Sequence, residues 1–127
     1  IDEDRNTLHL IDVKLKKAGF DILLARDGEE GLMQAQTQQP DLVIMDMLLA
    51  KLDGPTLIGR LKTEIEPAPL VIILSEMNQD EDFAAALAAG ADDYVSKPFS
   101  PHVLQERVRL NLIRANQQDS PTTEASS

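Results

Sequence analysis

Four short segments each place a reactive side chain at the carboxyl end of an apolar run. Asp2 and Glu3 follow Ile1, Asp46 follows Leu42-Val43-Ile44-Met45, Ser75 follows Leu70-Val71-Ile72-Ile73-Leu74, and Lys97 follows Tyr94-Val95-Ser96. In open parallel sheets, ligands are held at that end of the strands. A carboxylate there can attack phosphorus and form an acyl phosphate, and Asp46 is the candidate. Magnesium takes hard oxygen ligands, keeps several waters, and binds through one or two carboxylates plus phosphate oxygens; Asp2, Glu3 and Asp46 are the acids able to supply such a site. The Ser75 hydroxyl can donate to one phosphoryl oxygen and the Lys97 ammonium can neutralise another, both by position rather than by covalent chemistry. Together the segments describe a pocket for a divalent metal and a phosphoryl group.

Taken singly, each residue has an ordinary reading. An aspartate after a strand is often a turn or cap residue. Acids at positions 2, 3 and 4 would also suit the positive end of a helix dipole. An isolated strand-end serine is usually no more than that, and an isolated lysine is usually solvated. Only the conjunction of the four segments favours the pocket.

The elements that must position these groups follow from periodicity. Residues 4–18 put Leu8, Ile11, Leu15 and Ala18 on one helical face behind Asp4 as a cap, and Gly19 ends the helix. Residues 20–25 read as a short strand, and Asp27-Gly28 turns the chain into a helix carrying Leu32, Met33 and Ala35. Pro40 precedes a strand over 41–45, whose unbroken apolar run suits burial on both faces. Asp53-Gly54-Pro55 opens a third helix, which Pro67 and Pro69 close off. Residues 70–74 are the most apolar run and read as a central strand. An alanine-rich helix over 80–89, a strand over 93–96 and a last helix fading near Asn116 complete the order. Strand and helix alternate throughout, so the class is α/β with a parallel sheet and right-handed crossovers.

These motifs resemble those of a response-regulator receiver domain, over residues 1–116. The run Asp41-Leu42-Val43-Ile44-Met45-Asp46 with Asp53-Gly54 seven residues on is similar to the family's phosphoacceptor segment, and Lys97-Pro98-Phe99 after a strand is a receiver feature. The resemblance implies a flavodoxin-like three-layer sandwich with a five-strand parallel sheet in the order 2-1-3-4-5. It implies Asp46 as phosphoacceptor, Glu3 and Asp46 as direct magnesium ligands with Asp2 acting through water, and the carbonyl of Leu48 as backbone ligand. Ser75 and Tyr94 would form a switch in which the aromatic turns inward as the hydroxyl approaches the phosphoryl group. The Lys97-Pro98 bond would be cis, as is common in that family.

Some positions depart from the pattern. Ala50 stands where the family usually has proline, Glu76 is larger and more acidic than the usual small residue, and Leu48 and Met77 put apolar side chains at the pocket mouth where polar ones often tune phosphoryl loss. Only Ile1 precedes the acid pair, so the first, central strand is truncated in this sequence, and further upstream residues are expected in the native protein. An empty central slot would leave ladder groups unpaired, at about 1 to 3 kcal/mol each. Residues 117–127 are polar and read as a flexible linker or tail.

Composition sets the remaining bounds. At 127 residues one domain is expected, and a formal net charge of −10 disfavours nucleic acid or an anionic membrane as a direct partner. No cysteine is present, so there is no disulfide framework or thiolate zinc site, and His9 and His102 have no partner at ligand spacing. Charged residues interrupt every apolar run, and no signal-peptide pattern opens the chain, which points to a cytoplasmic location. The leading expectation is a bacterial-type two-component receiver. It would take a phosphoryl group from a histidine kinase or phosphotransfer protein with Mg and switch a tethered output domain or separate partner. It would catalyse its own modification without being a turnover enzyme, and a homodimer is compatible with that reading. The rivals are a degenerate receiver acting only through protein contacts, and a flavodoxin-like or haloacid-dehalogenase-like enzyme.

Overall fold

The computed structural model describes residues 1–76 and 80–118, the side chains of 80–82 and 117–118 excepted. Helices start where a carboxylate can serve first-turn amides that have no partner within the helix. Asp4 accepts from the Asn6 amide and from Thr7 Oγ1 and begins α1, Arg5–Lys17. Asp27 accepts from the Glu30 amide and begins α2, Gly28–Gln38. Asp53 accepts from the Thr56 amide, with Pro55 in the first turn, and begins α3, Gly54–Glu64. Two more helices follow, α4 at Asp80–Ala89 and α5 at Pro101–Gln118. The last helix runs two residues past Asn116, where the apolar pattern had ended.

Three strands pair in parallel, β1 at Leu42–Met45, β2 at Leu70–Ser75 and β3 at Asp93–Ser96, in the spatial order β1-β2-β3. Met45 lies beside Ile73, and Ile73 beside Tyr94. The middle strand separates two apolar layers, because successive side chains of a strand point to opposite faces. Val71 and Ile73 pack with Leu57, Ile58 and Leu61 of α3 and Leu32 and Ala35 of α2. Ile72 and Leu74 pack with Ile11 and Leu15 of α1 and Leu104 and Val108 of α5. All four strand residues are fully buried, as the unbroken apolar run of β2 predicts. This is the three-layer, flavodoxin-like arrangement.

One predicted strand is not present. Residues 20–25 carry a strand-like sequence but do not form one, because a strand needs a ladder partner as well as a pattern. Ile1 and Asp2 lie between this segment and β1. The Ile1 amine donates to the Ile44 carbonyl (2.7 Å), the Asp46 amide donates to the Ile1 carbonyl (3.1 Å), and the Asp2 amide donates to the Ala25 carbonyl (3.1 Å). The two flanks therefore do not pair with each other, consistent with a central position for the chain's first residues. Beside Ile1 opens a cavity of about 370 Å³ lined by Ile22, Leu24, Leu42, Ile44, Leu15 and Val108. The described sheet thus has three paired strands where five are expected, and they correspond to the last three places of the 2-1-3-4-5 order.

Candidate functional site

The parallel sheet brings its three carboxyl ends to one edge, where Asp46 follows β1, Ser75 ends β2 and Lys97 follows β3. Asp2 arrives beside them because Ile1 is hydrogen-bonded to both Ile44 and Asp46. Register is held locally as well, since the Lys97 amide donates to the Ser75 carbonyl (2.9 Å). The Lys97-Pro98 peptide is cis.

The Lys97 ammonium binds both aspartates, donating to Asp2 Oδ2 at 2.8 Å and to Asp46 Oδ2 at 3.0 Å. All three side chains are largely withdrawn from solvent. Burial by itself would lower the lysine's pKa. The hydrogen bonds and charges of Asp2 and Asp46 outweigh it and hold Lys97 above its ordinary value of 10.5, so it is charged at neutral pH. The other oxygens are engaged locally, Asp2 Oδ1 by the Asp4 amide (2.9 Å) and Asp46 Oδ1 by the Leu48 amide (3.2 Å).

Glu3 is placed differently. Its Oε2 accepts a hydrogen bond from the Ala50 amide, on the loop between β1 and α3. Among the described residues no group of three or more His, Cys, Asp or Glu side chains is gathered closely enough to hold a metal ion. The structure therefore brings Asp2, Asp46 and Lys97 together and leaves Glu3 committed to the loop. The donor chemistry nevertheless suits a hard cation, because two carboxylates converge at a point where a single ammonium offsets only one of their two charges.

Ser75 is buried at the strand end. Tyr94 is half-buried on β3, its ring centroid 5.1 Å from that of Phe83 on α4 at an interplanar angle of 49°. Leu48 projects into solvent and Glu76 is exposed. Met77, the other apolar candidate at the mouth, lies outside the described residues, as does most of the 117–127 segment. His9 and His102 are exposed.

The loop carrying Leu48 is pinned at both ends by glycines. The Gly28 amide donates to the Ala50 carbonyl (3.3 Å) and the Gly54 amide to the Met47 carbonyl (3.2 Å). A β-carbon at Gly28 would stand 2.5 Å from the Leu52 carbonyl oxygen, and one at Gly54 would stand 2.7 Å from the Met47 carbonyl oxygen. The Ala50 amide was not foreseen as a site group. The only signal for it in the sequence is the alanine where proline is usual, since proline has no N–H to give.

A profile described as the response regulator receiver domain matches residues 1–109. The chain is 34% identical over 124 residues to the alkaline phosphatase synthesis transcriptional regulatory protein PhoP of Bacillus subtilis, covering 98% of this chain and 51% of that protein. It is 37% identical over 117 residues to the DNA-binding dual master transcriptional regulator RpaA of Synechocystis, covering 91% of this chain and 48% of that one. The chain thus spans about half the length of the curated relatives it matches. Among solved structures, the receiver domain of Francisella response regulator 1452 superposes with a TM-score of 0.82 at 33% identity, covering 90% of this chain and 93% of that one. A CheY-like receiver domain protein from Methanospirillum hungatei gives 0.85 at 25% identity, covering 92% and 93%.

Proposed function

The chain belongs to the response-regulator receiver family of two-component systems, and from there we propose that Asp46 accepts a phosphoryl group from a histidine kinase or phosphotransfer protein. In the transfer an Asp46 carboxylate oxygen bonds to phosphorus. The phosphorus–nitrogen bond of the donor breaks with its electron pair going to the imidazole, which takes up a proton. The observation that carries this reading is the Lys97 ammonium within 3.0 Å of both Asp2 and Asp46 at the carboxyl edge of the sheet. A fixed cation there can follow charge from carboxylate to phosphoryl oxygen without reorganisation. Magnesium, held directly by Asp46, Glu3 and the Leu48 carbonyl and through water by Asp2, would neutralise phosphoryl charge. Ser75 donates its hydroxyl to a phosphoryl oxygen, and Tyr94 follows it as the switch.

The product is a modified protein, so this is a regulated acceptor rather than a turnover enzyme. Its action lies in the cytoplasm, on a tethered output domain or separate partner contacting the face around Tyr94, α4 and α5. Two of the relatives are named transcriptional regulators, which supports a DNA-directed output joined through residues 117–127, while the net charge of −10 argues against direct nucleic-acid contact by this domain. Incubation with a small phosphodonor and magnesium tests the acceptor. A single phosphoryl mass gain that Asp46→Asn abolishes is expected. Survival of the gain in Asp46→Asn overturns the assignment, and sustained release of phosphate would favour an enzyme.

A further inference from the structure

The backbone of Ala50 is unusually committed for an exposed loop residue. Its N–H donates to Glu3 Oε2, while its carbonyl accepts from the amides of Gly28 (3.3 Å) and Leu52 (2.8 Å). One residue, through the two peptide groups that flank it, therefore joins the acid pair to the segments that open α2 and α3. Of the two adjacent acids, Asp2 faces Asp46 through Lys97 and Glu3 faces the loop.

We infer that the Glu3–Ala50 hydrogen bond is a latch that withholds Glu3 from a divalent cation at the Asp2–Asp46 edge, and that Ala50 is a positioning residue setting the affinity for that cation. The inference rests on the proposed function for the identity of the cation. Held on the loop by this N–H, Glu3 is not gathered with Asp2 and Asp46 into a group that could hold a metal ion. To ligate a cation at their edge it must swing off the Ala50 amide, so apparent affinity falls by the fraction of molecules in the released form. The latch depends on position 50 having an N–H at all, which proline would remove. Binding of the cation in turn frees the Ala50 amide and loosens the loop that begins α3. Affinity for the metal and order in the loop are therefore reciprocally linked.

The test is a magnesium titration of the 127-residue chain followed by amide NMR, comparing the parent with Ala50→Pro. Tighter magnesium binding in Ala50→Pro is expected, on the order of tenfold, the lower end of what a charge-assisted hydrogen bond is worth. Equal or weaker binding by a folded Ala50→Pro overturns the latch. A second measurement needs no variant: in the parent the Ala50 amide should be protected from hydrogen exchange without magnesium and lose that protection at saturation. Protection that persists at saturating magnesium overturns the latch even if Ala50→Pro does not fold. These failures are separate from failure of the proposed function, which is read from phosphoryl mass gain at Asp46. Absence of any magnesium binding in both proteins overturns the latch as well.

Discussion

Lys97 holds together two carboxylates that would otherwise repel across the edge of the sheet. Its contacts at 2.8 and 3.0 Å offset part of the charge of Asp2 and Asp46, and its raised pKa records the same attraction. That contribution is complete below the ordinary lysine value of 10.5 and is lost as pH rises through the higher folded value. Lys97→Met should lower stability by about 2 kcal/mol, between the small worth of exposed pairs and the larger loss when a fully buried pair is broken. Urea unfolding with and without magnesium checks this, and magnesium should restore part of the loss, since a divalent cation can take over the charge balance. The same variant should accept phosphoryl groups from a small phosphodonor far more slowly than the parent.

The loop between β1 and α3 is an element whose shape is set by close approach. With the Met47 carbonyl oxygen 2.7 Å from where a Gly54 β-carbon would lie, Gly54→Ala must displace the loop that carries Leu48 and Ala50. The expected cost is about 1 to 3 kcal/mol, as for other overpacked sites. Amide shifts should spread from Met47 to Asp53, and a thermal melt would detect the loss. On the opposite side of the sheet edge, Asp93 of β3 ties α5 in place. It accepts from Arg107 through both carboxylate oxygens and from Asn111 Nδ2 at 2.9 Å. Burial would raise its pKa, but these donors and the Tyr94 amide outweigh burial and hold it below 3.8. The stabilisation is therefore present above the unfolded value near 3.8 and is lost as pH falls through the lower folded value. Asp93→Asn should flatten the acid limb of stability below about pH 4 while changing the plateau slope little. Because β3 and α5 belong to the proposed output face, phosphorylation of Asp46 should also shift amides of Tyr94 and residues 100–115; an unchanged spectrum there would count against that face.

At the scale of the molecule, stability is concentrated in β2 and the helices on either side. Ile73 is fully buried between β1 and β3, whereas Leu24 keeps 40% of its surface exposed beside the cavity near Ile1. Ile73→Ala should cost about 2 to 5 kcal/mol, within the usual range for emptying a well-packed site. Leu24→Ala should stay under about 1 kcal/mol, because little contact is lost where packing is already open. Chemical denaturation of both variants in parallel would show the contrast. Comparable losses would mean that the segment over residues 20–25 carries more of the fold than its single ladder bond to Asp2 implies.

Much of the fold was legible because its causes are local. Asp4, Asp27 and Asp53 announce helix starts through contacts two or three residues away, and the unbroken run Leu70–Leu74 announces a strand buried on both faces. The meeting of Asp46, Ser75 and Lys97 at one edge was legible too, since an acid, a hydroxyl and a lysine at the ends of successive parallel strands are carried to one place by topology. Tertiary structure alone decided the rest. Residues 20–25 have a strand's composition, yet pairing depends on a neighbour that composition does not contain. The Lys97 ammonium meets Asp2 across 95 positions of chain, and Glu3 finds the Ala50 amide across 47. Side-chain choices of that kind follow from which groups the folded sheet brings within hydrogen-bond reach. Spacing in the sequence identifies the candidates, but only the assembled edge determines that Asp2 binds the lysine while its neighbour Glu3 turns to the loop.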